Sequence, residues 1–151
     1  MSFQEKNITV TLASFTVILI IFLSNILNMV QDGGLNASDV FRLWGIVIVM
    51  AIVVTVVGMI VTHIVSAIVV AVQTGDDDPD IEDFEDERDK LIDLRGTKVT
   101  YTISSIGSFF AMLTFALGQS PLVMFSLLIF SGLVAQIIGD ITRLVLYRRG
   151  F

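Results

Sequence analysis

Residues 76–98 read DDDPDIEDFEDERDKLIDLRGTK, and residues 99–117 directly after them read VTYTISSIGSFFAMLTFAL. The first stretch holds eleven of the chain's fifteen carboxylates and four of its nine lysines and arginines; the second holds no charge. That abrupt change decides the fold. A soluble domain alternates apolar and polar faces along its helices and strands, whereas the runs flanking this segment are apolar on every side. Runs of about twenty such residues match a hydrocarbon core about 30 Å thick. The expected fold class is an all-α integral membrane protein: four transmembrane helices as two hairpins, joined by a cytoplasmic charged amphipathic helix.

Working outward, the spans are expected at about 8–30, 42–72, 99–117 and 122–142, with the charged segment at 74–98. Ahead of the first span, Met1–Asn7 carries one glutamate and one lysine, and no small-residue cleavage site follows the apolar run. This reads as a retained anchor and not as a signal peptide. Asp32, Gly33, Gly34, Asn36 and Ser38 then supply turn chemistry. Asn36-Ala37-Ser38 also matches a glycosylation acceptor, which counts only in a eukaryotic secretory route. The apolar stretch Val40–Val72 is too long for a simple crossing, since its 33 residues would extend about 50 Å as a helix. Arg42 and Trp44 look like interfacial anchors at its first end. Its surplus is therefore expected to project on the other side, beyond about His63. Gly118-Gln119-Ser120-Pro121 forms the last turn, with Pro121 suited to the first turn of the fourth helix.

Composition agrees. Hydrophobic residues make up 54% of 151, and four spans leave no room for a separate soluble domain, so one membrane domain is expected over 1–151. There is no cysteine, which excludes disulfides, thiolate metal sites and cysteine nucleophiles. The net charge of -6 argues against nucleic-acid binding, which needs a basic surface. The expected surroundings are the lipid bilayer. Orientation follows from lysine and arginine placement. With the amino terminus inside, Lys6, Arg88, Lys90, Arg95, Lys98, Arg143, Arg148 and Arg149 are cytoplasmic, and only Arg42 lies outside. Both termini are then cytoplasmic.

In the charged segment, Asp78 is a plausible helix cap and Pro79 suits the first helical position. Carboxylates crowd the first turns, and the cations come later, toward the membrane. Asp86–Lys90, Glu85–Arg88 and Glu87–Lys90 fall at spacings that pair on a helix. Ile81, Phe84, Leu91 and Ile92 form its apolar face; this amphipathic helix is expected to run on toward the third span, with Gly96 able to permit a bend there. Asp76, Asp78, Asp80 and Glu87 fall at positions 1, 3, 5 and 12 of a calcium-loop template, but Ile81 replaces the required glycine and Pro79 breaks the loop. A solvated helix start is the better reading, and no metal site is assigned.

Asp86-Glu87-Arg88-Asp89-Lys90-Leu91-Ile92-Asp93-Leu94-Arg95, together with Tyr147-Arg148-Arg149-Gly150, resembles a group of small prokaryotic membrane proteins catalogued as domain of unknown function 2178. The likeness extends to the four-span layout. It implies a bacterial or archaeal cytoplasmic (inner) membrane protein. It also looks like the type whose gene lies near a helix-turn-helix regulator, which hints at regulation. The resemblance brings no established activity and gives no residue a catalytic role.

Ionisable groups inside a membrane are functional candidates because they are costly in lipid. The candidate intramembrane polar site is His63, Gln136, Asp140 and Arg143. The last three share a helix face at spacings of four and three. They could form a proton or cation relay, or struts that fix how the helices meet; near the boundary, where side chains snorkel, the strut reading fits better. An Asp140–Arg143 pair would neutralise both charges, with Arg88 or Arg95 as other partners for Asp140. The lone histidine also leaves a pH sensor open. Ala51, Thr55, Gly58, Thr62 and Ser66 form one stripe of small residues, and Ser131, Ala135 and Gly139 another; such stripes allow close approach, and at least one should serve internal packing. Asn25 and Asn28 are expected to face the bundle and clamp its outer half.

No phosphate loop, zinc-ligand spacing or nucleophile–histidine–acid set appears, so neither an enzyme nor a cofactor is expected. The leading expectation is a non-enzymatic interaction or regulatory protein. Its cytoplasmic interaction surface would be Arg88, Lys90, Asp93 and Arg95, taking a cytoplasmic protein partner or forming a homo-oligomer. The alternative is a small oligomeric ion or solute transporter or channel.

Overall fold

The computed structural model of the chain describes residues 3–74 and 87–149. Four α-helices account for nearly all of them: α1 (Phe3–Gln31), α2 (Ala37–Thr74), α3 (Glu87–Ala116) and α4 (Pro121–Arg149). Each contains a stretch long and apolar enough to cross a bilayer, so the chain is all-helical and multi-pass by length and composition. The proposed cap at Asp78, the Pro79 helix start, the apolar face at Ile81 and Phe84 and most of the calcium template lie outside the described residues.

Two helices extend beyond the expected apolar spans. α1 begins at Phe3 because Gln4, Glu5 and Lys6 are adequate helix formers, and Glu5 sits in the first turn where the helix dipole favours an anion. α3 runs from Glu87 to Ala116, so residues 87–98 and the third span form one helix, in line with the expectation that the charged helix runs on toward that span. Charged residues with good helical propensity carry the helix straight past the expected membrane boundary.

The turns follow from local chemistry. After α1, the Gly34 amide donates to the Met29 carbonyl at 3.0 Å, and Gly33 and Gly34 take φ of 118° and 116°, a region L side chains rarely enter. Asn36 caps α2: its Oδ1 accepts from the Asp39 amide at 3.0 Å, and its Nδ2 donates to the Asp39 carboxylate. Asn36 thus has a structural use unrelated to glycosylation. Ser120 caps α4 by accepting from the Leu122 amide at 3.2 Å, and Pro121 occupies the first helical position as predicted.

α4 is the packing centre, touching α3, α1 and α2. Phe15, Ile18 and Phe22 of α1, Leu43 and Val47 of α2, and Leu133 of α4 form the core. Their spacings of three and four make single helix faces. Among the described side chains, those of α2 packed against this core end with Met50, Ala51 and Val54; Val56, Val57, Ile60, Val61, Ile64 and Ile68 are exposed. Hydroxyls near the apolar stretches turn back on their own helices, as Thr16 does to the Leu12 carbonyl at 2.7 Å and Ser126 to Leu122 at 2.8 Å. Such bonds satisfy polar groups without water.

Asn25 and Asn28 do not clamp the bundle. Both are exposed, and Asn25 Nδ2 donates to the Ile21 carbonyl of its own helix at 2.8 Å. The inward face of α1 is centred on Ile18, Phe22, Ile26 and Met29, and both asparagines fall to one side of it.

Candidate functional site

The small stripe on α4 creates the conditions for a site. Ser131, Ala135 and Gly139 are all buried. A Cβ at Gly139 would overlap Thr100 Oγ1 of α3, and one at Gly107 of α3 would overlap Ser131. Gly96 belongs to the same close contact: a Cβ there would run into the Arg143 side chain. Gly96 therefore serves close approach. The α2 stripe behaves differently. Ala51 lies against the core, Thr55 is exposed, Gly58 has open space where a Cβ would be, and the side chains of Thr62 and Ser66 lie outside the described ones.

With the backbones this close, polar side chains from α3 and α4 meet at one end of the bundle. On α4, Gln136, Asp140, Arg143 and Tyr147 share a face; on α3, Asp89, Asp93 and Thr97 do so at spacings of four. Arg143 connects the two faces. Its Nε donates to Asp93 Oδ1 at 2.9 Å, Nη1 to Asp140 Oδ1 at 3.0 Å and Nη2 to Thr97 Oγ1 at 2.8 Å. Gln136 Nε2 also donates to Asp140 Oδ1, at 3.1 Å. Farther along, the Tyr147 hydroxyl donates to Asp89 Oδ1 at 2.9 Å, and Arg88 Nη2 to the Tyr147 carbonyl at 3.3 Å.

The members differ sharply in exposure. The Asp140 side chain is 4% exposed and that of Arg143 13%, whereas that of Asp93 is 71% exposed. The pair thus joins a buried carboxylate to a half-buried guanidinium; Asp140 Oδ1 accepts from both Arg143 and Gln136, while Oδ2 is buried with no hydrogen-bond partner among the described residues. Beside it lies a cavity of about 460 Å³ that also takes in Gln4, Asn7 and Thr11 at the start of α1.

The structure brings together Gln136, Asp140 and Arg143 as their spacing predicts, and Arg143 is the partner of Asp140 where Arg88 or Arg95 was also considered. His63 falls within α2, but its side chain lies outside the described ones, and so does its relation to Asp140. The four surface candidates divide. Asp93 and Arg88 reach across to α4, while Lys90 and Arg95 are exposed. Gln136, Asp140 and Arg143 of the one candidate set and Arg88 and Asp93 of the other thus lie in one polar layer. Sequence reasoning missed Asp89, Thr97 and Tyr147. The four-residue spacing of Asp89, Asp93 and Thr97 was the available signal, but nothing in one sequence says which helix that face meets. Compared with protein-family models, curated proteins and solved structures, the chain matches none.

Proposed function

We propose that the protein is a non-enzymatic interaction or regulatory protein of a prokaryotic inner membrane, acting through the charged start of α3. In this reading the four helices insert as two hairpins with both termini in the cytoplasm, and the charged segment before and within α3 is the cytoplasmic link between them. The setting is proposed from the apolar length of the four helices and from lysine and arginine placement. The observation that carries the reading is mechanical. The start of α3 is fastened to the end of α4 by Asp93–Arg143, Asp89–Tyr147 and Arg88–Tyr147. A partner, or a second copy, that engages exposed Lys90 and Arg95 therefore pulls on the helix at the centre of the bundle. A simple connector would need none of these bonds.

The test is native mass spectrometry of the protein extracted in mild detergent, compared with a Lys90→Ala/Arg95→Ala variant. The reading predicts a defined added subunit or oligomer in the wild type and its loss in the variant. An assembly that survives both substitutions would contradict it.

A further inference from the structure

We propose that Arg95, Lys98 and Tyr101, on the outward face of α3, bind the phosphate of an anionic phospholipid, one whose headgroup carries no cation of its own. The inference rests on the bilayer insertion proposed above and adds a ligand to it. Among the described residues α3 packs against α4 alone, through a face that holds buried Ile92, Gly96 and Ala111. On the opposite side Arg95 and Lys98 are exposed, and Tyr101 is 70% exposed. The three follow one another at intervals of three, so they are neighbours along a single row of the helix surface. Helical side chains lean toward the amino-terminal end of their helix, which takes the Lys98 ammonium and the Tyr101 hydroxyl back toward the level of Arg95.

Three helices change from polar to apolar at this level. Thr97 of α3 bonds Arg143 at the end of the apolar run of α4, and both line the same cavity as Asn7, where the apolar run of α1 begins. Lys98 is the last charge before the uncharged run 99–117. In the inserted molecule this shared level is the headgroup region, where basic side chains reach phosphates and tyrosine sits at the border of the hydrocarbon. Deeper along the same face, Thr102, Ser105 and Phe109 are exposed and uncharged, a surface for acyl chains. Charge selects the headgroup. The carboxylates of α3 nearest the row are engaged on the other side, Asp93 with Arg143 and Asp89 with Tyr147. Glu87 lies eight residues before Arg95, about 12 Å away along the axis. A phosphate without an ammonium gains from both cations, whereas a zwitterionic headgroup brings a positive charge against them.

The experiment is native mass spectrometry of the purified full chain in detergent. It is titrated with phosphatidylglycerol, with phosphatidylcholine of the same acyl chains, or with glycerol 3-phosphate. The proposal predicts that phosphatidylglycerol binds about tenfold or more tightly than phosphatidylcholine, and that the free phosphate does not bind at the same concentrations. Lys98→Gln should weaken phosphatidylglycerol binding about fivefold, the loss of one basic residue at an anionic headgroup, and leave phosphatidylcholine unchanged. Lys98→Arg should retain the preference, Lys98→Gln/Tyr101→Phe should lose more of it, and Arg42→Gln, at the opposite end of the bundle, should keep all of it. Equal binding of the two lipids by the wild type would overturn the proposal. So would a preference that Lys98→Gln/Tyr101→Phe leaves unchanged, or glycerol 3-phosphate binding as tightly as the lipid. Lys98 and Tyr101 stand outside the partner contact proposed at Lys90 and Arg95. Absence of the lipid preference with a partner still bound therefore strikes this inference alone, and loss of the partner with the preference intact strikes only the docking reading.

Discussion

Arg143 holds the charged end of the molecule together, and its two carboxylate partners show how burial sets the worth of an ion pair. Asp93 is largely in solvent, where an ion pair contributes about 0–1 kcal/mol. Asp140 is buried, so removing its cation leaves a charge without compensation, at about 3–5 kcal/mol. Thermal unfolding in detergent should therefore show Arg143→Met destabilised by that larger amount and Asp93→Asn by less than about 1 kcal/mol. Removing both buried charges, as Asp140→Leu/Arg143→Met, should recover much of the single-variant loss, because an apolar replacement of a buried pair is often close to neutral. Similar losses for Asp93→Asn and Arg143→Met would show that the pair is not buried in the way described. The face carrying Gln136, Asp140 and Arg143 was legible from spacing alone. The interhelical bonds to Asp93 and Thr97 were not, because register between two helices depends on which backbones approach closely.

At the scale of the element, the α3–α4 contact is set by small residues more than by large ones. Gly96, Gly107 and Gly139 each stand where a Cβ would collide with the neighbouring helix, whereas Gly45, Gly58 and Gly132 meet nothing within 4 Å. Gly139→Ala should accordingly lower stability by about 1–3 kcal/mol through overpacking. Gly132→Ala, on the same helix, should be neutral or slightly stabilising, since alanine is the better helix former. A detergent melt comparing the two checks this, and equal effects would contradict the close approach. The four helices themselves could be read from apolar length, and the stripe on α4 from its spacing of four. The end of α3 could be read closely, and its continuity with the charged segment was expected from the amphipathic pattern of that segment. Hydropathy marks where lipid would stop, and the α3 backbone continues helically through Arg95 and Lys98 regardless. Asn25 and Asn28 misled for a related reason: polarity within an apolar run does not reveal direction, and their neighbours set the inward face.

For the whole molecule, the polar layer and the two short turns lie at opposite ends. The starts of α1 and α3 meet the end of α4 around the cavity, while 32–36 and 117–120 close the far end. Eight of nine lysines and arginines fall at the cavity end under the expected orientation, against Arg42 alone at the other. In that expected orientation the cavity and the exposed Lys90 and Arg95 would face the cytoplasm. The proposed function rests on this topology, because a partner engaging Lys90 and Arg95 would, in that orientation, come from the cytoplasmic side. The chain has no cysteine, so single cysteines report without background. The most direct measurement is labelling with a membrane-impermeant maleimide of cells carrying Asp32→Cys, Gln119→Cys, Lys90→Cys or Arg149→Cys. The account predicts that the cysteines at 32 and 119 label in cells with an intact inner membrane, and those at 90 and 149 only after it is permeabilised. Labelling of position 90 in intact cells, or protection of 32 and 119, would contradict it.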